Sequence, residues 1–467
     1  MEAALWGHQR EALRFVEGKS AVLLHCGMGT GKSRIAIEAA IRSDARKVLI
    51  LSPLSVVEAW SKQFGLYADS WVGFFLSKGS VKDKQRDAQI ALKHATLKAK
   101  PCVIVVNYES ARSEPFASWA RSQAWDLLIM DESHRLKSYK GRTAKWVARL
   151  AKKARKRLAL TGTPMPHSPL DIYQQFLCLD PNIFGASYYR FRGKYAKMGG
   201  YAGKEVVGYK NTDELRQRIA SITYQATRSV LDLPPAVHET RLVALGKNAR
   251  RIYDQLDKDF YAQVGSGEIT AANALVKLLR LQQTTGGYVP VDEGDYGAAP
   301  AVHQIDCAKE DALVELLTAL QPSEPVAVFA RFSGDLLTVH KAAKRVKRRS
   351  LELSGKRKEL EAWQSGAAPI LAVQIQAGGV GIDLTRCGEM NCAYTVYLSV
   401  GHNLGDYEQS LARVHRPGQE RTVFYYHIVA ENTVDVKVYR ALRDRKNIVE
   451  SVMADVRNKL PLQEKIT

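Results

Sequence analysis

An apolar run passes directly into a glycine-rich segment in Leu23-Leu24-His25-Cys26-Gly27-Met28-Gly29-Thr30-Gly31-Lys32-Ser33. Closely spaced glycines followed by Lys-Ser are typical of a phosphate-binding loop (P-loop) between a strand and a helix. Glycine permits backbone torsions that turn several N–H groups inward, and a helix starting at Lys32 adds the positive end of its dipole. Cys26 occupies the position at which the usual spacing has its first glycine. The residues that we expect to contact a nucleotide here are Gly27, Gly29, Thr30, Gly31, Lys32 and Ser33.

The end of this loop predicts specific roles in binding a nucleoside triphosphate and a magnesium ion. Lys32 is expected to reach the β- and γ-phosphates. The Ser33 hydroxyl is expected to ligate the Mg²⁺ that bridges them. The ligands predicted from these residues are therefore a nucleoside triphosphate and Mg²⁺, and the family resemblance given below specifies ATP.

Size and charge set the class of protein and of partner. The chain has 467 residues, with 46% hydrophobic and 25% charged residues, which is typical of a soluble globular protein with two lobes of roughly 200 residues each. Lysine and arginine total 68 against 48 for aspartate and glutamate, a net charge of +20. An excess of this size favours a polyanionic partner, and nucleic acid is the leading candidate.

Cysteine usage and hydropathy indicate an intracellular protein without a membrane segment. The six cysteines are scattered, with no spacing typical of a zinc site. No run of about 18 apolar residues occurs, and the N-terminus has no apolar core of signal-peptide length. We expect reduced thiols and a location in the cytoplasm of a bacterial or virus-infected cell, or in the nucleus if the source is eukaryotic.

The order of apolar runs predicts an α/β fold of two lobes, each a mostly parallel sheet flanked by helices, with a small helical insertion between them. The predicted strands of the first series are Ala21-Leu24, Val48-Leu51, Val103-Val106, Leu127-Met130 and Leu158-Leu160. Those of the second series are Val326-Phe329, Leu351-Leu353, Ile370-Val373, Thr395-Leu398 and Val423-Ile428. We place the lobes at residues 1–232 and 301–467. Between them, 233–300 is predicted as linker and helical protrusion, with a helical pattern over 247–283 and a loop over 286–300.

Two carboxylates follow the predicted strand that ends at Met130. Open α/β sheets bind ligands at the carboxyl ends of their strands, so Asp131 and Glu132 are placed to act on the nucleotide. Asp131 is expected to hold Mg²⁺, and Glu132 to orient and deprotonate the water that attacks the γ-phosphate. A third element, Thr161-Gly162-Thr163-Pro164, puts two hydroxyls on a turn at the same edge.

The residues of the motifs and their order along the chain resemble those of helicase superfamily two, and specifically of its Swi/Snf-type branch of double-stranded DNA translocases. The resemblance covers nearly the whole chain. In its first half the matching stretches are Gly7-His8-Gln9, Ile50-Leu51-Ser52-Pro53-Leu54-Ser55-Val56-Val57 with Trp60, Asp131-Glu132-Ser133-His134-Arg135-Leu136-Lys137, and Thr161-Gly162-Thr163-Pro164. Further matches are Asp232-Leu233-Pro234-Pro235, Ala377-Gly378-Gly379-Val380-Gly381-Ile382-Asp383-Leu384-Thr385 and Gln409-Ser410-Leu411-Ala412-Arg413-Val414-His415-Arg416-Pro417-Gly418-Gln419.

The resemblance implies two RecA-like lobes that close on ATP, and it assigns roles that the isolated residues do not. Gln9 is expected to read the adenine edge, and Gly381 and Asp383 to lie at the nucleotide. Arg413 and Arg416, expected three residues apart on one helix face, are implied to supply the arginine fingers. The DNA backbone contacts implied by the family are Pro53, Ser55, Asn107, Thr163, Gly378 and Gly379. Contacts of this kind position a strand without reading its sequence.

Four residues depart from the branch's usual pattern: Gln374 and Gln376 replace a serine and a basic residue, Asp383 replaces an asparagine, and Tyr407 replaces a frequent aspartate. The function that we predict is an ATP-dependent translocase on double-stranded DNA, a monomer whose targeting protein is left open. The alternatives are a strand-separating DNA or RNA helicase, and an ATP-gated DNA clamp that acts through a partner.

Overall fold

A computed structural model describes residues 4–200, 203–259, 261–264, 267–270, 274–291, 301–378 and 382–453. The chain divides into two compact units. The first unit comprises the residues up to Leu231 together with those from Arg445 onward, and the second comprises Asp232–Asp444.

A seven-stranded parallel sheet forms the centre of the first unit. The strands of this unit are β1 Ala21–Cys26, β2 Lys47–Ser52, β3 Val72–Leu76, β4 Cys102–Asn107, β5 Leu127–Asp131, β6 Lys156–Thr161, β7 Ala196–Gly199, β8 Glu205–Tyr209 and β9 Thr223–Ala226. Its helices are α1 Gly7–Val16, α2 Lys32–Arg42, α3 Val57–Tyr67, α4 Val81–Leu97, α5 Tyr108–Ala111, α6 Phe116–Ser122, α7 Arg142–Ala151, α8 Ile172–Leu179, α9 Pro181–Phe184, α10 Tyr188–Tyr195 and α11 Thr212–Ala220. The sheet order is β3-β4-β2-β5-β6-β1-β9, and β7 and β8 form a separate antiparallel pair.

Helices cover both faces of this sheet, which explains why its strands are apolar without interruption. Alternate residues of β2 enter different cores: Leu49 and Leu51 pack on one face, and Val48 and Ile50 on the other. Side chains alternate across a strand, so a strand buried on both faces needs an apolar residue at every position.

The second unit is built on a six-stranded parallel sheet of order β10-β21-β20-β15-β17-β16. Its strands are β10 Ala236–Val243, β11 Tyr261–Val264, β12 Gly267–Thr270, β13 Tyr288–Val291, β14 Ala301–Gln304, β15 Val326–Ala330, β16 Ser350–Leu353, β17 Ile370–Gln374, β18 Arg386–Cys387, β19 Met390–Asn391, β20 Tyr394–Tyr397 and β21 Val423–Ala430. Its helices are α12 Lys247–Asp259, α13 Ala274–Thr285, α14 Ala308–Ala319, α15 Ser333–Arg345, α16 Leu360–Gln364, α17 Ile375–Gly378 and α18 Leu404–Leu411, and α19 Val434–Met453 continues beyond the unit's last residue.

Two parallel sheets flanked by helices confirm the predicted fold class. The segment between the two predicted lobes differs in detail from the prediction. An antiparallel pair, β11 with β12, interrupts the helical pattern predicted over 247–283. Residues 288–291 of the predicted loop form β13, which pairs with β14, and residues 292–300 lie outside the described part. The predicted linker also contains β10, the edge strand that pairs with β21 along eight residues.

Candidate nucleotide site

Strand order in the first unit brings three predicted motifs together. β5, β6 and β1 are neighbours and parallel, so their carboxyl ends meet at one edge of the sheet. We call this the carboxyl edge. Asp131 is the last residue of β5, Thr161 of β6 and Cys26 of β1. The P-loop, the paired carboxylates and the threonine turn therefore leave the sheet side by side, although they are far apart in the chain.

The P-loop has the backbone that its glycines predict. Gly29 and Gly31 have φ angles of 82° and 79°, in the left-handed region that favours glycine. A Cβ at Gly31 would lie 2.3 Å from Nε2 of Gln9, so any side chain there would displace the Gln9 amide. α2 begins at Lys32, and the Lys32 Nζ donates to the carbonyl oxygens of Cys26 at 3.0 Å and Gly27 at 3.2 Å.

Gln9 lies against this loop. Its Nε2 donates to the Thr30 carbonyl over 3.3 Å, and its Oε1 accepts from the Trp6 N–H at 3.0 Å. The His8 Nε2 lies 2.8 Å from the same Thr30 carbonyl oxygen. Helix α1 thus braces the P-loop, and the structure brings Gln9 to the site at which a nucleotide is expected.

Asp131 is buried, with 6% of its surface exposed, and hydrogen bonds fix its carboxylate. Its Oδ2 accepts from the indole N–H of Trp60 at 2.9 Å, and its Oδ1 from the Glu132 backbone N–H at 3.0 Å. The Tyr108 hydroxyl donates to the Asp131 carbonyl at 2.7 Å. Burial, and then the charge of Glu132, raise the pKa of Asp131 to about 6.

Glu132 has an unusual backbone that turns it away from the strand. Its φ is 47°, a left-handed conformation that is rare for a non-glycine residue. The His134 Nδ1 lies 3.3 Å from its Oε2 and 3.1 Å from the Thr161 Oγ1. His134 therefore connects the carboxylates to the threonine turn.

A second connection between the same two motifs is made by Gln175. The Ser133 hydroxyl donates to the Gln175 Oε1 at 2.9 Å, and the Gln175 Nε2 donates to the Pro164 carbonyl at 2.6 Å. Within the turn, the Thr163 N–H donates to the Thr161 Oγ1 at 3.1 Å. The sequence predicts no role for Gln175, because nothing in its neighbourhood in the chain points to this site.

These residues fit a magnesium-bound triphosphate. The P-loop presents left-handed glycines, an adjacent helix start and a lysine that donates to two carbonyl oxygens of the loop itself. Asp131 is buried next to a second carboxylate, that of Glu132, and a bound cation would offset the two negative charges. Within the described part of the chain, no group of three or more His, Cys, Asp or Glu residues could hold a metal ion. A Mg²⁺ that takes few protein ligands besides phosphates and water is consistent with that finding.

In the second unit, Arg413 and Arg416 converge although they do not share a helix. The prediction of a common helix face is wrong, because α18 ends at Leu411 and both arginines lie in the turns that follow. Pro417 and Gly418, whose φ is 98°, are incompatible with a continuing helix. The Nη1 atoms of both arginines nevertheless lie 3.4 Å from the carbonyl oxygen of Ile382.

Asp383, which was predicted at the nucleotide, pairs with one of these arginines. The Arg416 Nη1 lies 3.6 Å from its Oδ2, and both side chains are partly exposed. Gly378 is the last residue of α17. Gly379 and Gly381 lie outside the described residues.

Comparison with known proteins identifies the family. The model of the SNF2-related domain matches residues 8–286. The chain belongs to the SNF2-related family. The resemblance to Swi/Snf-type proteins of helicase superfamily two is thereby confirmed, and the protein is a member of the helicase-like ATPases.

Phage and bacterial proteins are among the relatives of this SNF2-related chain. Protein p41 of Acyrthosiphon pisum secondary endosymbiont phage 1 is 26% identical over 463 residues, which cover 92% of the chain and 93% of p41. The uncharacterized ATP-dependent helicase MG018 of Mycoplasma genitalium is 22% identical over 96% of the chain, which spans 42% of MG018. A solved Sulfolobus solfataricus SWI2/SNF2 ATPase core in complex with dsDNA is 18% identical, with a TM-score of 0.44 over 97% of this chain and 94% of that one.

The predicted DNA contacts of the SNF2-related protein differ in exposure. The side chain of Ser55 is exposed, whereas Pro53 is buried. Asn107 has 6% of its surface exposed, and its side-chain amide already bonds to protein: its Oδ1 accepts from the Lys84 Nζ and its Nδ2 donates to Glu109, each at 3.1 Å. Thr163 is buried, and its Oγ1 has no hydrogen-bond partner among the described residues.

Two stretches rich in lysine and arginine lie away from the carboxyl ends of the strands beside them. Residues 152–157 lead into β6, and residues 341–349 lead into β16. Each cluster is therefore at the amino end of its strand.

No helix in the described part of the chain is long and apolar enough to cross a membrane.

Proposed function

We propose that this SNF2-related protein is an ATP-driven translocase on double-stranded DNA. The observation that carries the proposal is the meeting of the P-loop, Asp131–Glu132 and the Thr161 turn at the carboxyl ends of three adjacent strands. This arrangement, in a helicase-like ATPase family, is suited to hydrolysis of a nucleoside triphosphate.

Nucleotide binding is assigned to the P-loop and α1. Backbone N–H groups at Gly29 and Gly31 and the start of α2 face the phosphates, and Lys32 exchanges its loop carbonyls for phosphate oxygens. Gln9 is positioned by Thr30 to contact the adenine. Ser33 and Asp131 are the residues that would hold Mg²⁺, which when bound neutralises charge on the β- and γ-phosphates.

Hydrolysis is assigned to Glu132 as the base that takes the proton of the attacking water. His134 contacts both Glu132 and Thr161. A movement of the threonine turn would therefore change the position of Glu132 through His134. Arg413 and Arg416 are proposed to stabilise the charge that develops on the γ-phosphate. Their convergence on one carbonyl supports a joint role.

Binding of the DNA backbone is supported by the net charge of +20 and by family membership. The exposed hydroxyl of Ser55 follows β2, which neighbours β5 in the sheet, so a strand contacted there lies near the carboxylates. Contacts limited to phosphates give little sequence preference and a steep dependence on salt.

Steady-state ATP hydrolysis tests this proposal. We expect duplex DNA to stimulate turnover more strongly than single-stranded DNA or RNA, with Glu132→Gln as the blank and Lys152→Ala as a matched surface control. Stronger stimulation by single strands or RNA would favour a strand-separating helicase. No stimulation by any nucleic acid would favour an ATP-gated clamp, and either result contradicts the proposal.

A further inference from the structure

A groove on the first unit, outside the residues assigned to ATP, combines tyrosines with cations. Its volume is about 420 Å³, within the usual range of ligand pockets. It lies between α7 and the start of α10, and its lining includes Tyr139, Lys145, Arg149, Tyr173, Tyr188 and Tyr189. Tyr139 follows shortly after the 3₁₀ turn Ser133–Leu136, so the groove begins close to Glu132 in the chain.

Two of the tyrosines form a platform and a third projects from it. The rings of Tyr139 and Tyr188 are stacked, with centroids 3.7 Å apart and planes 11° apart. Tyr189 meets both rings edge-on, with centroids 6.0 Å from each. It keeps 61% of its surface exposed. A large aromatic side chain is thus held by two others and presented to solvent.

The surroundings of the tyrosines are strongly basic. Residues 137–151 and 188–195 contain no aspartate or glutamate. Their cations are Lys137, Lys140, Arg142, Lys145, Arg149, Arg190, Arg192 and Lys194. Lys194 pairs with Glu214 at 2.6 Å, whereas Lys145, Arg149, Arg190 and Arg192 form no ion pair with any residue that the structure describes.

Cations and rings also touch each other directly. The Arg192 guanidinium lies 5.5 Å from the centre of the Tyr189 ring, and the Lys140 ammonium 5.7 Å from that of Tyr139. One acidic neighbour of this face is Asp171, whose negative charge contributes to the raised pKa of Tyr188 after burial and Tyr139. The Asp171 Oδ2 accepts the backbone N–H groups of His167 and Ser168. Cations therefore outnumber acidic residues around the exposed ring.

We propose that this groove binds single-stranded DNA. Exposed aromatic rings stack on unpaired bases while neighbouring cations hold the phosphates, which is the usual design of single-strand sites. A duplex offers only its phosphates, because its base faces are already stacked on one another, so it gives Tyr189 nothing to stack on. An acidic peptide would satisfy Lys145 and Arg149 but likewise leaves the ring without a partner.

The single-strand site goes beyond duplex translocation and does not depend on it. An unpaired strand in the groove would contact Tyr139, which follows Glu132 in the chain after the turn Ser133–Leu136. The protein could then engage a junction, with duplex at the carboxyl edge and single strand between α7 and α10. In this arrangement Tyr189 supplies stacking, and Lys145 with Arg149 supplies the electrostatic contact.

Fluorescence anisotropy with labelled oligo(dT) and with a blunt hairpin duplex tests the site in the full chain without nucleotide. Stacking is worth about 1–3 kcal/mol per base, so Tyr189→Ala is expected to weaken oligo(dT) binding by roughly 5- to 150-fold. Hairpin affinity should change less than about twofold. Tyr189→Phe keeps the ring and should stay within about twofold of the wild type for both probes.

The contribution of Lys145 and Arg149 to oligo(dT) binding is tested against a matched control. Lys145→Ala/Arg149→Ala should weaken oligo(dT) binding and flatten its salt dependence, whereas Lys152→Ala/Lys153→Ala removes two exposed cations at the amino end of β6 and should have a smaller effect. Tyr189→Trp provides a direct readout, since stacking on a base should quench the added indole fluorescence. Circular dichroism and basal ATP turnover check that each variant is folded.

Several outcomes would overturn the inference. One is an oligo(dT) affinity that Tyr189→Ala leaves within about twofold of the wild type. Another is an equal loss of hairpin affinity, which would make the groove part of a duplex surface. Displacement of oligo(dT) by poly-glutamate as effective as that by unlabelled oligo(dT) would indicate a peptide site. None of these results bears on whether duplex DNA stimulates ATP hydrolysis, so the two proposals fail separately.

Discussion

The indole N–H of Trp60 donates to Oδ2 of Asp131 across 2.9 Å, and both side chains are buried. Trp60 lies on α3, which follows the loop that carries Ser55. Tyr108, which follows Asn107, donates to the carbonyl of the same aspartate. Asp131, which is assigned to Mg²⁺, is therefore held at its carboxylate by Trp60 and at its backbone carbonyl by Tyr108. Both residues lie just after predicted DNA contacts, so a shift in either segment would move Asp131.

Trp60→Phe should weaken the use of Mg²⁺ rather than unfold the protein. The variant keeps most of the apolar volume but leaves Oδ2 without its donor, and an unsatisfied buried charged group costs about 1–3 kcal/mol or more. We expect a rise in the Mg²⁺ concentration needed for half-maximal ATP turnover and a fall in kcat of about tenfold.

Trp146→Phe is the matched control for this variant. Trp146 is also buried, and its indole N–H has no hydrogen-bond partner among the described residues. It should therefore leave the Mg²⁺ dependence unchanged. Equal effects of the two substitutions on the Mg²⁺ titration would show that Trp60 contributes packing alone.

Lys32→Ala and Glu132→Gln should separate nucleotide binding from hydrolysis. The first removes the charge that meets the phosphates, so a fluorescent ATP analogue should bind much more weakly. The second keeps the size and polarity of the base but cannot accept the proton, so binding should persist while turnover falls by about 10²-fold or more. Loss of nucleotide affinity to the same extent in both variants would contradict these roles.

Arg416→Ala should preserve ATP binding and remove most turnover, because its charge is needed chiefly in the transition state. An arginine finger is worth on the order of 10³–10⁵ in rate. Arg386, which is exposed and pairs with Glu420 at 2.8 Å, provides the control substitution Arg386→Ala. If both variants retain wild-type kcat, Arg416 is a surface residue without a part in the reaction.

Acid should destabilise the second unit through His427. Burial, and then the charge of His238, lower the pKa of His427 to about 3. Its ring packs among Tyr397, Tyr407 and Tyr439. The folded state therefore binds a proton less readily than the unfolded state, whose histidine pKa is about 6.5, so the contribution is full above about pH 6.5 and falls as the pH drops toward 3.

Urea unfolding at pH 7.5 and pH 5 measures this effect. The linkage gives a loss of about 2 kcal/mol at pH 5 for a single histidine with this shift. His427→Phe keeps a stacked ring without a titrating nitrogen and should lose less stability on acidification. The exposed His94 gives the control His94→Asn, and identical pH dependence in the wild type and His427→Phe would rule out this origin.

The parts of the fold that sequence predicts are those with two apolar faces. β1, β2, β4, β5 and β6 are buried on both sides and read as unbroken apolar runs. The edge strand β10 is mostly exposed and mixes polar with apolar residues, so its pattern resembles a linker. Pro290 within β13 and the polar segment around β11 and β12 conceal their pairing in the same way.

The site shows a similar division. Asp131 ends β5, Glu132 follows it, and Lys32 begins the helix after β1, so their placement at the carboxyl edge can be derived from chain order. Contacts made by Trp60 and His134 depend on which strands become neighbours, and periodicity does not reveal that. Arg413 and Arg416 both approach the carbonyl oxygen of Ile382, although the helix expected to carry them ends at Leu411. Tertiary contacts, rather than helical spacing, align those two side chains.

Displacement of a triplex-forming oligonucleotide from blunt duplex DNA is the most direct measure of translocation, because it requires movement along the duplex without separation of its strands. The account predicts ATP-dependent displacement by the wild type, none by Glu132→Gln, and normal displacement by Lys152→Ala. Unwinding of a partial duplex by the wild type without triplex displacement would contradict it, as would DNA-stimulated ATP hydrolysis that displaces nothing.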